Sequence, residues 1–496
     1  MCTDKNQYLL IYLLIFIAAF FAVFGIDRSP FIWVDEVFYA EPARQLYLHN
    51  SLVSPIFFNV KDLDSAFFLH PPVYFFIQSK IFNIFGFSQM AARLPGIVYY
   101  LLSVFIIYLT IMNLLKSRQN SRLWALLGSA CFAFDKTILE EIRSGRSGSL
   151  AILMMVFSFY ILNRQGINLY LKIFLSTLLG GLAALTHPTA SFLVFGYFMN
   201  VMFNKSYSEV RLKAIGLFCF AISIVFVPYL VTILANFETW QSQFLTHSRG
   251  AIGGMSDKIS VIISNFVNEF KFKPFILICI LLSFLSPYKK DFASVLIPFF
   301  GISILGIVSN LSFYKFILPI AYVSTFTLLP SVKERLFADG FKTYAFKLMI
   351  IICMINYLMF PLTRTLNTHL QYQDRNPSNI GNVIEKYIPV NSKVLSVPAS
   401  YYACIKRNID FKYPGPLYGL RIEKDEIDIL TYQLAVKKYK PDFLIIDSNI
   451  NPEVEYGYLS NASYVYLFRH KIDLWNKLNP YTSGVDFNIW KVNYSN

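Results

Sequence analysis

The composition of this 496-residue chain excludes an ordinary soluble domain. It is 55% hydrophobic and only 15% charged, whereas soluble domains carry about a quarter charged residues. The net charge of +14 indicates basic loops held on the cytoplasmic side of a membrane rather than a nucleic-acid partner. The six cysteines form no CxxC pair, so neither a disulfide framework nor a zinc site is indicated. We therefore interpret the chain as an integral membrane protein.

Apolar runs predict the membrane-spanning helices. Such a helix needs about 20 mostly apolar residues, and the first run lacks a convincing cleavage site, which favours a retained helix over a signal peptide. The criterion predicts about eleven spans, near residues 8–26, 94–115, 123–139, 148–163, 173–187, 189–203, 214–232, 274–286, 292–310, 316–330 and 344–362. With the N-terminus in the cytoplasm, every short cytoplasmic loop is basic, as the positive-inside rule expects.

Three longer segments fall on the outer side in this topology. The first, residues 27–92, carries a predicted helix over 36–49 and then an apolar stretch that favours a helix lying at the membrane interface. The second covers residues 235–273. From about residue 363 the pattern changes to helix, turn and strand, as in "NVIEKYIPVNSKVLS", "DFLIIDS", "ASYVYLFRH" and "GVDFNIWKV". We predict a transmembrane domain at 1–362 and an extracytoplasmic α/β domain at 363–496.

Ionisable side chains gather at the outer ends of the predicted helices and in the outer loops. Such groups near apolar spans are costly and tend to be functional or paired. Because these residues share the outer side of the membrane in this topology, we predict that some of them form a site. They are Asp35, Glu36, Glu41, Arg44, Asp62, Asp64, His70, Arg93, Glu140, Glu141, Arg143, Arg146, His187, His247 and Arg249.

Each of these residues also has a plainer interpretation. Asp35 could cap a helix, and Glu36 could simply favour the positive end of one. His187, before a proline, could mark a hinge, and Arg93 could be an interfacial anchor. Arg143 and Arg146 could pair with Glu140 and Glu141 at helical spacing.

The order of the motifs resembles the GT-C-fold lipid-linked-sugar glycosyltransferases, and most closely the bacterial protein mannosyltransferase-like and aminoarabinose-transferase-like enzymes. The matching residues are Asp35-Glu36, Tyr39-Ala40-Glu41, Arg44, His70-Pro71-Pro72, Ala91-Ala92-Arg93-Leu94-Pro95, "ALTHPTA" at 184–190 and "FYKFILPI" at 313–320. The resemblance extends to about residue 330. The chain departs from it at Phe38, where some relatives have arginine, and at Gly148, where relatives often have an acidic residue.

The resemblance implies a fold class and an activity. The fold is a polytopic α-helical membrane protein of GT-C type, with about 11–13 transmembrane helices and a C-terminal extracytoplasmic α/β domain. The activity is sugar transfer, usually with inversion, from a polyprenyl-phosphate donor to a lipid, glycan or protein acceptor. It would take place among membrane lipids at the outer face, and we expect this to be a bacterial plasma membrane.

The resemblance also implies roles for particular residues. Asp35 would take the proton of the acceptor hydroxyl, and Glu36 would orient the acceptor or the base. Cationic groups would bind the donor phosphate, and the candidates are Arg44, His70, Arg93, Arg146 and Arg249. Further substrate contacts are expected from Tyr39, Glu41, His187, His247, Tyr314 and Lys315.

Two alternatives stay open at this point. A divalent metal could bind where Asp35, Glu36 and the histidines converge, but the chain has no motif with ligand spacing, so we predict no cofactor. The rival function is a transporter or flippase of lipid-linked sugars. That function predicts inverted repeats and ionisable residues near the bilayer midplane, whereas here these residues lie at outer helix ends and no repeat is visible.

Overall fold

The computed structural model describes most of the chain. The described residues are 9–249 except 33, 58–61, 117 and 119; then 292–308, 314–336, 340–413 except 374, 438–447, 463–466 and 487–491. The predicted span at 274–286 lies outside them.

Helices dominate the first three quarters of the sequence. Their bounds are α1 Leu9–Val23, α2 Val34–His49, α3 Val73–Phe85, α4 Gln89–Leu114, α5 Ser121–Ala133, α6 Lys136–Ile142, α7 Gly148–Asn163, α8 Leu169–Ala184, α9 Ser191–Phe203, α10 Arg211–Ala235, α11 Phe237–Arg249, α12 Ala293–Val308, α13 Tyr314–Leu336 and α14 Gly340–Leu370. Within the described residues, four helices are long and apolar enough to cross a membrane, namely α4, α10, α13 and α14, and several shorter ones are also apolar.

The predicted spans within the described residues correspond to helices, with one difference. The predicted span at 123–139 is two helices, because α5 ends at Ala133 and α6 begins two residues later. The Asp135 carboxylate accepts the backbone N–H groups of Thr137 at 2.8 Å and Ile138 at 3.3 Å. This side-chain cap favours a new helix start at the point where hydrophobicity alone predicts continuation.

Several of the predicted site residues lie at one end of the helix bundle, where α3, the end of α8 and the α6–α7 turn meet. The start of α3 is joined to the end of α8 by a hydrogen bond from the N–H of Val73 to the carbonyl of Leu185, at 3.2 Å. Tyr74 donates to the carbonyl of Gly145, at 2.8 Å, in the turn between α6 and α7. Gly145 has φ +62°, a conformation that favours glycine. We call this end of the bundle the site end.

Gly96 allows α4 to lie close to the end of α6. A Cβ atom there would stand 2.4 Å from the carbonyl oxygen of Ile142, which is backbone and has little freedom to move. We expect Gly96→Ala to lower the free energy of unfolding by about 1–3 kcal/mol, measured as a lower thermal midpoint in detergent. Gly216→Ala in α10 is the control, because no heavy atom lies within 4 Å of a Cβ there. Equal midpoints for the two variants would contradict this packing argument.

The C-terminal part forms a mixed sheet with short helices. Helix α15 spans Pro377–Tyr387 and α16 spans Tyr401–Lys406; the strands are β1 Lys393–Leu395, β2 Asp410–Lys412, β3 Phe443–Asp447, β4 Ser463–Tyr466 and β5 Phe487–Lys491. The strand order is β2-β1-β3-β5-β4. Strand β1 pairs in parallel with β2 and β3, and β5 pairs antiparallel with β3 and β4. The predicted α/β composition is confirmed, whereas the boundary at 362 stays a prediction.

The sheet packs on the first predicted outer loop. The backbone N–H of Tyr413 donates to the carbonyl of Ile56 at 2.8 Å, and the Lys412 ammonium donates to the carbonyl of Pro55 at 2.8 Å. Buried apolar side chains of α2, α3 and their connecting loop share one core with those of α15, α16 and the sheet. The Tyr401 hydroxyl donates to the Glu41 carboxylate in α2. Helix α2 therefore lies between the bundle and the C-terminal sheet.

Candidate active site

The adjacent carboxylates of Asp35 and Glu36 lie in the first turn of α2. Because successive helical residues point about 100° apart, the two side chains meet different surroundings. The Glu36 side chain is fully buried, whereas the Asp35 side chain keeps 31% of its surface exposed. The helix begins at Val34, so Asp35 is a first-turn residue, where negative charge is favourable. Of the two neighbours, Asp35 is the one that a substrate can reach.

Glu36 forms a buried ion pair with Arg93 of α4. The guanidinium contacts the carboxylate at two places, Nε to Oε1 at 2.9 Å and Nη2 to Oε2 at 2.5 Å. Its third nitrogen, Nη1, donates to the carbonyl of Ile26, just beyond α1. Burial raises the pKa of Glu36 against the opposing charge of Arg93. The pair ties α2 to α4 and α1, and its two-point geometry fixes the start of α2 in place.

A line of alternating charges leads from Asp35 into the protein. Asp35 Oδ2 lies 3.3 Å from Nη2 of Arg146, and Nη1 of Arg146 lies 3.6 Å from Oε2 of Glu141. The same Glu141 oxygen accepts a hydrogen bond from the Lys315 ammonium at 2.6 Å. We call these four residues the charged chain. It joins α2, the α6–α7 turn and the first residues of α13, so it forms only when the bundle has folded.

Glu141 is the most enclosed member of the charged chain, with 4% of its side chain exposed. Burial raises the pKa of Glu141, but the charges of Lys315 and Arg146 and a backbone hydrogen bond at Gly148 outweigh burial, so the pKa is lowered. The N-terminus of α7 at Gly148 adds to this preference for the ionised form. Glu141 therefore serves as a fixed negative charge between two cations.

Two histidines and a tyrosine lie at the same end of the bundle. The Tyr39 hydroxyl lies 3.2 Å from Nε2 and 3.3 Å from Nδ1 of His70. The His70 ring is 5.5 Å from the ring of His187, which is 4.5 Å from that of Phe316, the neighbour of Lys315. Burial raises the pKa of Tyr39, so its hydroxyl stays protonated. These rings connect the α2 side of the site to α8 and α13.

Other predicted site residues lie elsewhere. Glu41 is buried and accepts hydrogen bonds from Gln45 at 2.6 Å, Arg44 at 3.3 Å and Tyr401. Glu41 thus contacts the first residue of α16, and the Arg44 guanidinium lies over the ring of Phe87. His247 and Arg249 are in α11 and Tyr314 begins α13, but their side chains lie outside the described residues. No group of three or more His, Cys, Asp or Glu residues able to hold a metal ion occurs in the described part of the chain.

Arg143 has a structural role. Its guanidinium donates to two carbonyls in the last turn of α1, those of Phe21 at 3.2 Å and Ala22 at 2.5 Å, and to the carbonyl of Ser29 beyond it at 2.6 Å. It thereby satisfies the carbonyl groups that a helix end leaves unpaired. Of the two arginines predicted to pair with Glu140 or Glu141, Arg146 contacts Glu141, but across the α6–α7 turn and not at helical spacing.

The chain is an integral membrane protein, and comparison with solved structures shows that it has the GT-C fold of membrane glycosyltransferases. The structure is similar to ArnT from Cupriavidus metallidurans bound to undecaprenyl phosphate, with a TM-score of 0.65, 10% identity and 98% of both chains covered. It is also similar to the archaeal oligosaccharyltransferase AglB from Archaeoglobus fulgidus in complex with an inhibitory peptide and a dolichol-phosphate, with a TM-score of 0.53 and 12% identity over 90% of this chain and 70% of that one. For the arabinofuranosyltransferase AftD from Mycobacteria the TM-score is 0.55, with 11% identity over 100% of this chain and 40% of that one.

Sequence comparison points the same way. Residues 69–234 match the family model described as dolichyl-phosphate-mannose-protein mannosyltransferase. No curated protein matches the sequence. The predicted GT-C resemblance and the predicted fold class are therefore confirmed.

Proposed function

We propose that this protein transfers a sugar from a polyprenyl-phosphate donor to an acceptor hydroxyl or amide. The observation that carries the proposal is the charged chain, in which the part-exposed carboxylate of Asp35 lies 3.3 Å from the guanidinium of Arg146. A carboxylate that can take a proton and a cation that can hold a phosphate are thus side by side. The undecaprenyl phosphate bound to ArnT and the family model over residues 69–234 support a lipid-phosphate sugar as the donor.

The proposed reaction is a single displacement at the anomeric carbon. The acceptor atom attacks this carbon, its proton passes to Asp35, and the bond from the carbon to the phosphate oxygen breaks. The electron pair of that bond leaves with the polyprenyl phosphate, and the configuration of the sugar inverts because attack and departure are on opposite faces. Glu36 has no direct part in these steps, because it is fully buried against Arg93.

The leaving phosphate needs fixed positive charge. Arg146 and Lys315 are the candidates that the charged chain offers, with 16% and 11% of their side chains exposed. Charge-assisted hydrogen bonds from such groups are strong in partly buried sites, and prepositioned charges stabilise a transition state without reorganisation. His70 and His187 flank the same region and would contact the sugar or the phosphate.

We further propose that the site end faces away from the cytoplasm. The predicted loops at the opposite end are basic, in agreement with the positive-inside rule. A bacterial plasma membrane and an acceptor presented at its outer face would fit this orientation. Protease protection of tags placed after Leu370 and in the loop at residues 164–168, in sealed vesicles, would test it.

The function is tested by supplying proteoliposomes of the full chain with labelled polyprenyl-phosphate hexoses and pentoses, and with lipid and peptide acceptors. We expect label in the acceptor fraction, joined with inverted anomeric configuration by NMR. Label that crosses the bilayer and stays on the polyprenyl phosphate would favour a flippase. Retained configuration would rule out the single displacement with inversion.

A further inference from the structure

Glu141 lies where a residue at position 148 would otherwise place its side chain. A Cβ atom on Gly148 would stand 1.9 Å from Oε1 of Glu141 and 2.7 Å from its Cδ. Any residue other than glycine at 148 would thus collide with the carboxylate in its present position. The glycine at the start of α7 and the glutamate near the end of α6 are therefore a matched pair.

The carboxylate of Glu141 also orders both cations of the charged chain. Oε2 accepts from Lys315 at 2.6 Å and lies 3.6 Å from Arg146, whose other terminal nitrogen faces Asp35. Lys315 comes from α13 and Arg146 from the turn before α7, and Glu141 contacts both of them. Without a negative charge between them, two nearby cations in a poorly solvated place would repel each other.

We propose that Glu141 is a positioning residue of the transfer reaction, acting as the counter-ion that sets Arg146 and Lys315 relative to Asp35, and that Gly148 exists to make room for it. This inference rests on the proposed function. Glu141 is not the base, because it is enclosed, ion-paired on both sides and 4% exposed. It acts through the two cations and does not touch the substrate.

A positioning counter-ion has a kinetic signature. Glu141→Gln keeps the size of the side chain and removes its charge, so the cations lose their alignment but keep their own charges. We expect kcat to fall about 100-fold, the scale of a small misplacement at a reacting centre. Polyprenyl phosphate should bind the variant about tenfold more tightly, because a competing negative charge near the phosphate is gone. A residue needed only for folding would weaken binding and lower the thermal midpoint.

The decisive test moves the carboxylate from residue 141 to residue 148. In Glu141→Ala/Gly148→Asp, the Cβ at residue 148 would lie close to the present position of the Glu141 carboxylate, 1.9 Å from its Oε1. The carboxyl carbon at residue 148 is bonded to that Cβ, about 1.5 Å away. The double variant therefore places a carboxylate near the same two cations. Turnover should fall in Glu141→Ala, fall in Gly148→Asp because two carboxylates compete for one space, and recover at least tenfold in the double variant relative to Glu141→Ala.

The measurements are kcat, donor KM, polyprenyl phosphate binding and the thermal midpoint, each on the full chain. Wild-type turnover in Glu141→Gln, or a folded double variant no more active than Glu141→Ala, would overturn the positioning role. If the wild type transfers no sugar, the proposed function fails by itself. In that case, tighter binding of polyprenyl phosphate by Glu141→Gln would still support the role of Glu141 as a counter-ion. Unchanged binding would contradict that role.

Discussion

Asp35→Asn is expected to abolish most sugar transfer while leaving the fold intact and donor binding at least as tight as in the wild type, because a negative charge beside Arg146 is removed. Asparagine keeps the size of the side chain and tolerates a first-turn position, but it cannot take the proton of the acceptor. A positioned general base contributes about 10²–10⁴-fold to rate, so turnover of labelled sugar should fall by that factor. Stability should change little, because the Asp35 side chain is 31% exposed and a part-exposed ion pair contributes at most about 1 kcal/mol.

The control for this prediction is Asp64→Asn, which removes an exposed carboxylate from the same outer loop. The turnover of Asp64→Asn should equal that of the wild type. The thermal midpoints of both variants should be measured as well, to show that neither variant is destabilised. Full turnover in Asp35→Asn would show that another group takes the proton. Loss of polyprenyl phosphate binding in Asp35→Asn would instead show that this carboxylate organises the phosphate site.

Arg93→Met should cause the largest loss of stability of any single change considered. It removes the two-point partner of Glu36 and leaves a carboxylate fully buried without its counter-ion. Breaking a buried pair in this way costs about 3–5 kcal/mol. We expect a much lower thermal midpoint in detergent, and reduced turnover because the first turn of α2 carries Asp35.

A double variant distinguishes two causes of the lost stability, the unpaired charge of Glu36 and the loss of the Arg93 side chain itself. Arg93→Met/Glu36→Gln removes both charges, so it should recover part of the lost stability relative to Arg93→Met. Arg118→Met is the control, since Arg118 pairs with the exposed Glu334 at the opposite end of the bundle and should cost at most about 1 kcal/mol. Equal losses from Arg93→Met and Arg118→Met would contradict the importance of burial.

The positions of the helices could be predicted because a lipid-facing helix must be apolar along its whole length. That signal fails where the chain turns while remaining apolar. The residues at 123–139 look continuous by hydrophobicity, but the cap formed by Asp135 divides them into α5 and α6. Strands β1, β3, β4 and β5 were predictable from their β-branched and aromatic residues. The three-residue strand β2 was not predicted, and the mixed strand order depends on long-range pairing that no local pattern encodes.

The site was predictable as a set of residue types but not as a set of contacts. Asp35 and Glu36 are neighbours with the same chemistry, and only the burial of one against Arg93 distinguishes them. The sequence places Glu141 in the predicted cluster only as one of several ionisable residues, and it shows Gly148 as the loss of an acidic residue. In the structure, the Glu141 carboxylate occupies the space that a side chain at residue 148 would need. The order of residues in the sequence does not reveal this relation.

The contact of Tyr401 with Glu41 has a consequence for how this molecule comes apart. Helix α2 is held on one side by Arg93 and on the other by Tyr401 of α16, and apolar side chains of the loop and of the C-terminal part form a single cluster. Cutting the chain after Leu370 would remove the C-terminal members of that cluster, together with the tyrosine hydroxyl that donates to Glu41. Loop and sheet therefore behave as one cooperative folding unit, assembled from two distant stretches of sequence around the helix that carries Asp35.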